Sequence, residues 1–232
     1  MGFWLGGRMH LSFNNIDSWI FDLDLTLYGP EANIMAQVRD RIALYVERFF
    51  NIDSDAAHHI RHTYWKKYGT TLGGLMTEHA VDPHGYLDFV HDVDMTLLQP
   101  ADDLRRQIEA LPGRKLIFTN ADAPYAQRVL TARGLDGVFE DIFDIHRMQH
   151  LPKPASASYD RLCTELNIDP TRALFVEDSA HNLAPAKALG MTTIWVNHDV
   201  EADSSGAETF IDHEIADVNG WLSALHAMER TI

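Results

Sequence analysis

Four short runs in this chain carry bulky apolar side chains at successive positions rather than at alternate ones. They are Trp19–Leu23 (WIFDL), Lys115–Thr119 (KLIFT), Ala173–Glu177 (ALFVE) and Thr192–Val196 (TTIWV). A strand that is apolar on both faces must be covered on both faces, as in a parallel sheet packed between helices. The intervals between the later runs read as those helices: Pro124 to Arg133, Ala155 to Asn167, and Asn182 to Leu189. The first ends at Gly134 and the last at Gly190, and glycine just past a helix is a stop signal because it enters the left-handed region freely. The pattern predicts an α/β fold built on a doubly wound, Rossmann-like parallel sheet.

One interval departs from the alternation. From about Glu31 to Leu98 no strand is legible, while Ile34, Val38, Ile42, Tyr45, Val46 and Phe49 recur at helical spacing. Further helices are expected over Ser54–Tyr68, Leu72–His79 and His84–Met95. The expected organisation is a core of residues 1–29 plus 100–232, with an all-helical insert over 30–99 and Pro100 marking the return. Glu214 to Arg230 reads as a closing helix, and Val200 to Glu208 as a polar loop.

The polar residues of interest fall at the ends of these strands, where open α/β sheets place their ligand crevice. The first run ends in Asp22-Leu23-Asp24-Leu25-Thr26. If the chain stays extended, Asp22, Asp24 and Thr26 share one side. Two such aspartates repel unless a cation or proton lies between them, and magnesium takes hard oxygen ligands and shares them with phosphate. The second run ends in Thr119-Asn120, a hydroxyl and an amide able to donate to phosphate oxygens. Lys153 sits between Pro152 and Pro154, which stiffen its loop. The third core run ends in Glu177-Asp178-Ser179, with Asn182 four residues beyond Asp178 and able to brace the turn. Each group alone has an ordinary reading as a helix cap, a turn or a solvated lysine. Falling together at successive strand ends, they are harder to explain in that way.

This ordered set resembles the haloacid dehalogenase superfamily, in its phosphatase branch. The resemblance implies that Asp22 is the nucleophile, forming an aspartyl-phosphate, and that Asp24 is the general acid and base. It implies that Asp22, Asp178 and the main-chain carbonyl of Asp24 hold Mg2+, with Glu177 in support. Thr119, Asn120 and Lys153 would bind the phosphoryl oxygens, with Thr26, Ser179 and Asn182 supporting. The helical insert would be a mobile cap. Dehalogenases of the superfamily lack the second aspartate, so Asp24 points to phosphoryl chemistry.

Within that branch, Leu27-Tyr28 and the insert segment Tyr64 to Leu75 (YWKKYGTTLGGL) resemble the pyrimidine 5′-nucleotidase subgroup. That likeness implies UMP- or CMP-like substrates, and makes Tyr68, Gly69, Thr70, Thr71, Gly74 and Leu75 candidates for substrate specificity. On composition alone the same stretch reads as a helix end with packed aromatics and solvated lysines. The alternatives are a phosphatase or phosphomutase for sugar phosphates or phosphoglycolate, and a non-catalytic binding protein on the same fold.

Charge narrows the partners. With 34 acidic and 19 basic residues, the chain's formal net charge of −15 disfavours nucleic acid and anionic membrane. A small phosphomonoester is the expected partner, so positive charge must be built locally. Cys163 is the single cysteine and is expected to be a packed thiol, with no internal disulfide possible. No segment reads as a signal peptide core or a membrane span, and the expected location is cytoplasmic. His58 and His62 have the i, i+4 spacing of a zinc pair without a further ligand, so an exposed polar face is the expected reading. His146 and His150 are candidates for the cleft entrance. The sequence leaves the oligomeric state open.

Overall fold

The apolar runs pair side by side. The computed structural model describes residues 15–198 and 209–229. Its sheet comprises β1 (Ser18–Phe21), β2 (Arg114–Phe118), β3 (Asp141–Phe143), β4 (Ala173–Glu177), β5 (Thr192–Val196) and β6 (His213–Ile215). All six strands are parallel, in the order β3-β2-β1-β4-β5-β6. Every residue of β1 and β4 is buried. Trp19 and Phe21 point into one apolar core and Ile20 into the other, one on each face of the sheet. The strand order reverses at β1 and β4, which opens a crevice beyond their carboxyl ends.

Between β1 and β2 lie the helices α1 (Ile34–Phe50), α2 (Ser54–Tyr68), α3 (Thr71–His79) and α4 (Pro83–Val90). Their limits are written locally. Asp53 caps α2 by accepting from the Ala56 N–H at 2.9 Å, and Gly69, at φ +79°, closes it. Thr70 caps α3 through the Gly73 N–H at 2.9 Å. Asp82 caps α4 through the Gly85 N–H at 3.0 Å, with Pro83 in the first turn, where its missing N–H costs nothing. Tyr64, Leu72, Leu75 and Tyr86 from this block join the same apolar core as Ile20 and Phe118. The sheet is flanked by α5 (Asp102–Ala110), α6 (Ala123–Ala132), α7 (Ser156–Glu165), α8 (Ala180–Leu189) and α9 (Val218–Glu229).

Both passages between sheet and helical block are tied to α6. Arg128 donates to the carbonyls of His91 and Val93, each at 2.9 Å. Arg133, just past the helix, donates to the Leu27 carbonyl at 3.1 Å and to the Gln99 carbonyl.

Several expectations need correction. The helix expected over His84–Met95 ends at Val90, because Arg128 takes the carbonyls of the following residues. Asp92 and Asp94 would also oppose the negative end of a longer helix. The stretch expected as a helix from Glu214 begins instead as β6, and α9 starts at Val218 with Asp217 accepting from the Gly220 N–H at 2.7 Å. Strand β3 and helix α5 are additional to the expected elements. The loop over Val200–Glu208 lies outside the described residues, as do the first fourteen positions.

Candidate active site

Strand register assembles the site. Phe21 lies opposite Val176 on one side and Ile117 on the other, so Asp22 emerges beside Glu177 and beside the carbonyl of Phe118. Lys153 reaches into this gap from its loop. Its ammonium donates to Asp22 Oδ1 at 2.6 Å, to Glu177 Oε2 at 2.6 Å and to the Phe118 carbonyl at 2.8 Å. The Lys153 side chain is 1% exposed, and all three of its N–H donors are used. Burial opposes its charge, but the two carboxylates more than offset this and raise its pKa.

Asp178 completes an acidic group with Asp22 and Glu177, whose ligand oxygens lie within 4.8 Å of one another. Burial, then the neighbouring Glu177, pushes Asp22 up to about 8 against the pull of Lys153. The same two causes push Asp178 up to about 10. When all three carboxyls are ionised, one ammonium leaves two negative charges uncompensated. An all-oxygen donor set with that deficit fits a divalent cation such as magnesium.

The expectation that Asp22, Asp24 and Thr26 project together from extended chain does not hold. The strand stops at Phe21 and the chain turns, with the Leu27 N–H bonded to the Leu23 carbonyl at 3.0 Å and Leu25 at φ +56°. Thr26 is buried, and its hydroxyl has no hydrogen-bond partner. Asp24 is placed by two phenols instead. Its Oδ1 accepts from the Tyr28 hydroxyl and, at 2.7 Å, from the Tyr125 hydroxyl. Burial raises the Asp24 pKa, while these two donors pull it back. Tyr125 stacks on His91 with centroids 4.2 Å apart, and His91 in turn bonds Asp122 at 2.6 Å.

Other expected residues are distributed unevenly. Thr119 is buried, with its oxygen accepting the Ala121 N–H at 3.1 Å. The Asn120 amide grips the main chain of Lys153, accepting its N–H at 2.8 Å and donating to its carbonyl at 3.2 Å. It fixes the lysine from an exposed position on the cleft wall. The Ser179 N–H donates to Glu177 Oε1 at 3.2 Å. Asn182 braces the turn through its own main chain, bonding the Ser179 carbonyl and accepting from the Tyr159 hydroxyl.

A cleft of about 980 Å³ runs from Lys153, Asp178 and Asn182 to the helical block. From the expected specificity segment, Gly69, Thr70 and Thr71 line it. Tyr68, Gly74 and Leu75 serve packing: the Tyr68 hydroxyl binds Glu78, Gly74 lies under the Tyr64 ring, and Leu75 is fully buried. Lys67 is spent on Glu78 at 3.0 Å. Beside Lys153, positive charge in the cleft comes from Arg61, which sequence reasoning missed, flanked by His58 and His62. Those histidines are exposed as expected and also face the cleft. The stripe His58, Arg61, His62, Trp65 at helical spacing was the available signal. His150 lines the cleft and bonds His146 at 3.1 Å, which stacks on His84 of α4. Cys163 is packed in α7, where burial pushes its thiol up to about 11.

Residues 19–196 match the family model described as haloacid dehalogenase-like hydrolase, and the chain belongs to that family. Phosphate metabolism protein 8 of Saccharomyces cerevisiae is 22% identical over 189 residues, covering 75% of this chain and 59% of the yeast protein. Among solved structures, the magnesium-bound HAD-hydrolase YfnB of Bacillus subtilis superposes with a TM-score of 0.61 at 18% identity, over 91% of this chain and 99% of that one. A HAD phosphatase from Thermococcus onnurineus gives a TM-score of 0.57 at 19% identity, over 92% of this chain and 97% of that one. At these identities the solved structures establish the shared fold.

No helix among the described residues is long and apolar enough to cross a membrane.

Proposed function

We propose that this hydrolase is a magnesium-dependent phosphomonoesterase that works through an aspartyl-phosphate, with pyrimidine nucleoside 5′-monophosphates as substrates. The observation that carries the reaction type is the pairing of two differently placed aspartates. Asp22 lies against the Lys153 ammonium in an acidic group, and Asp24 is held apart by two phenol hydroxyls. In this reading a carboxylate oxygen of Asp22 attacks phosphorus as the bond to the leaving oxygen breaks. Asp24, whose carboxyl burial favours the protonated form, gives its proton to that oxygen. It then takes a proton from the water that cleaves the acyl phosphate, which frees phosphate and restores Asp22. Lys153 and Thr119 meet phosphoryl charge, with Lys153 positioned by Asn120. Asp22, Asp178 and the Asp24 carbonyl, with Glu177 in support, would hold magnesium, which when bound neutralises phosphoryl charge.

The helical block acts here as a cap over residues 30–99, and its Gly69–Thr71 segment meets the leaving group. The nucleotide assignment draws on the segment around Gly69 and on a cleft large enough for a nucleoside monophosphate. The test is phosphate release from UMP, CMP, ribose 5-phosphate and 2-phosphoglycolate, with magnesium and with EDTA. Magnesium-dependent release favouring UMP and CMP is expected, and Asp22→Asn should lower it by at least about 10³-fold. Release from the other esters alone would keep the chemistry and sink the nucleotide assignment. Unchanged turnover in Asp22→Asn would sink both.

A further inference from the structure

Helix α2 turns one face to the cleft, carrying His58, Arg61, His62 and Trp65. Two features of this face have no explanation in packing. The first is the Arg61 Nε, which is buried without any hydrogen-bond partner. Arg41, Arg105, Arg114, Arg147 and Arg172 each hold a carboxylate. Arg61 stands beside the Tyr86 phenol instead. A buried guanidinium donor without an acceptor is costly. The side chain as a whole is half-buried on the cleft wall, so a small shift on binding would bring the guanidinium to a ligand acceptor and relieve that cost. The second is Trp65, which is 62% exposed on the cleft wall with the His62 ring nearly parallel to it, centroids 6.4 Å apart. An aromatic face left in water beside a substrate cleft is suited to receive another planar ring.

We propose that Arg61 and Trp65 form the leaving-group subsite, where Trp65 stacks on a planar heterocycle and Arg61 donates to a carbonyl oxygen on its edge. This rests on the nucleotidase reading and names its recognition element. Uracil and cytosine both carry a carbonyl beside the glycosidic nitrogen, so one donor serves both bases. A purine offers no carbonyl there. The stack needs a flat ring and the donor does not, so the two contacts are separable.

The test compares kcat/KM of the wild type, Arg61→Gln and Trp65→Leu on four substrates with magnesium present. These are UMP, CMP, 5,6-dihydrouridine 5′-monophosphate, whose base keeps its carbonyls but is not flat, and ribose 5-phosphate. Arg61→Gln should cut the preference for all three nucleotides over ribose 5-phosphate by about 10- to 100-fold. Trp65→Leu should cut the preference for UMP over its dihydro form by about fivefold or more. Thermal unfolding of each variant confirms folding, and the exposed Trp65 carries the test alone if Arg61→Gln does not fold. Unchanged preferences in a wild type that favours UMP would overturn the subsite and leave the nucleotidase reading standing. With 2-phosphoglycolate assayed beside these four, a selective loss on it in Arg61→Gln would also overturn the subsite, assigning the arginine to a carboxylate. A wild type that treats UMP and ribose 5-phosphate alike would overturn both.

Discussion

At the residue scale, Lys153 is the most constrained side chain of the site, an ammonium with its three donors spent on Asp22, Glu177 and the Phe118 carbonyl. Removing one partner of a buried ion pair leaves an uncompensated charge, at a cost of about 3–5 kcal/mol. Lys153→Met should therefore lose about 3 kcal/mol of unfolding free energy in urea with EDTA present. A loss below about 1 kcal/mol would mean that the carboxylates relax by protonation alone. Asp22, Glu177 and Asp178 are legible in sequence because they stand at the ends of apolar strands, which parallel register brings together. Lys153 is marked instead by the prolines on either side of it. Tyr125 and Arg61 are not legible in the same way. A tyrosine in the first turn of a helix reads as core, and nothing local says that its hydroxyl meets an aspartate 101 positions away. Arg61 stands in a polar helix whose two sides look equally solvated until the cleft opens along one of them.

At the element scale, the contact between α2 and α3 is close because Gly74 has no side chain. A Cβ at this position would fall 2.3 Å from the Tyr64 ring, and the buried Tyr64 hydroxyl is itself bonded to His79 at 2.8 Å. Gly74→Ala should destabilise the protein by about 1–3 kcal/mol through overpacking, read as a lowered urea midpoint. An unchanged midpoint would show that Tyr64 can swing aside. Gly74, a specificity candidate by resemblance, thus admits a ring, while its neighbour Gly73 borders the cleft. The long elements are visible in sequence because their periodicity repeats over several turns or their apolar run is continuous. Strands β3 and β6 have three residues each, too few to show a period. They exist because a neighbouring strand offers an unpaired edge.

At the scale of the whole molecule, the charge deficit at the strand ends makes stability depend on pH and metal together. Asp22 and Asp178 have raised folded pKa values, about 8 and about 10, against an ordinary value of 3.8. In metal-free protein the folded state keeps those protons after the unfolded chain has released them, so stability falls as the pH rises toward those values. Between pH 7 and 9 histidines of ordinary pKa contribute little. The urea midpoint in EDTA should drop across that interval, and magnesium should raise it more at pH 9 than at pH 7. A magnesium effect independent of pH would place the ion away from these carboxylates. The guanidinium ties of Arg128 and Arg133 carry a mechanical consequence. Both passages into the helical block are fastened to one helix, so any swing of that block would turn about a line set along α6. The same helix carries Tyr125, and Tyr125 touches both His91 and Asp24. Rotation about that line would barely displace the acid, like a door whose lock is mounted on its hinge post.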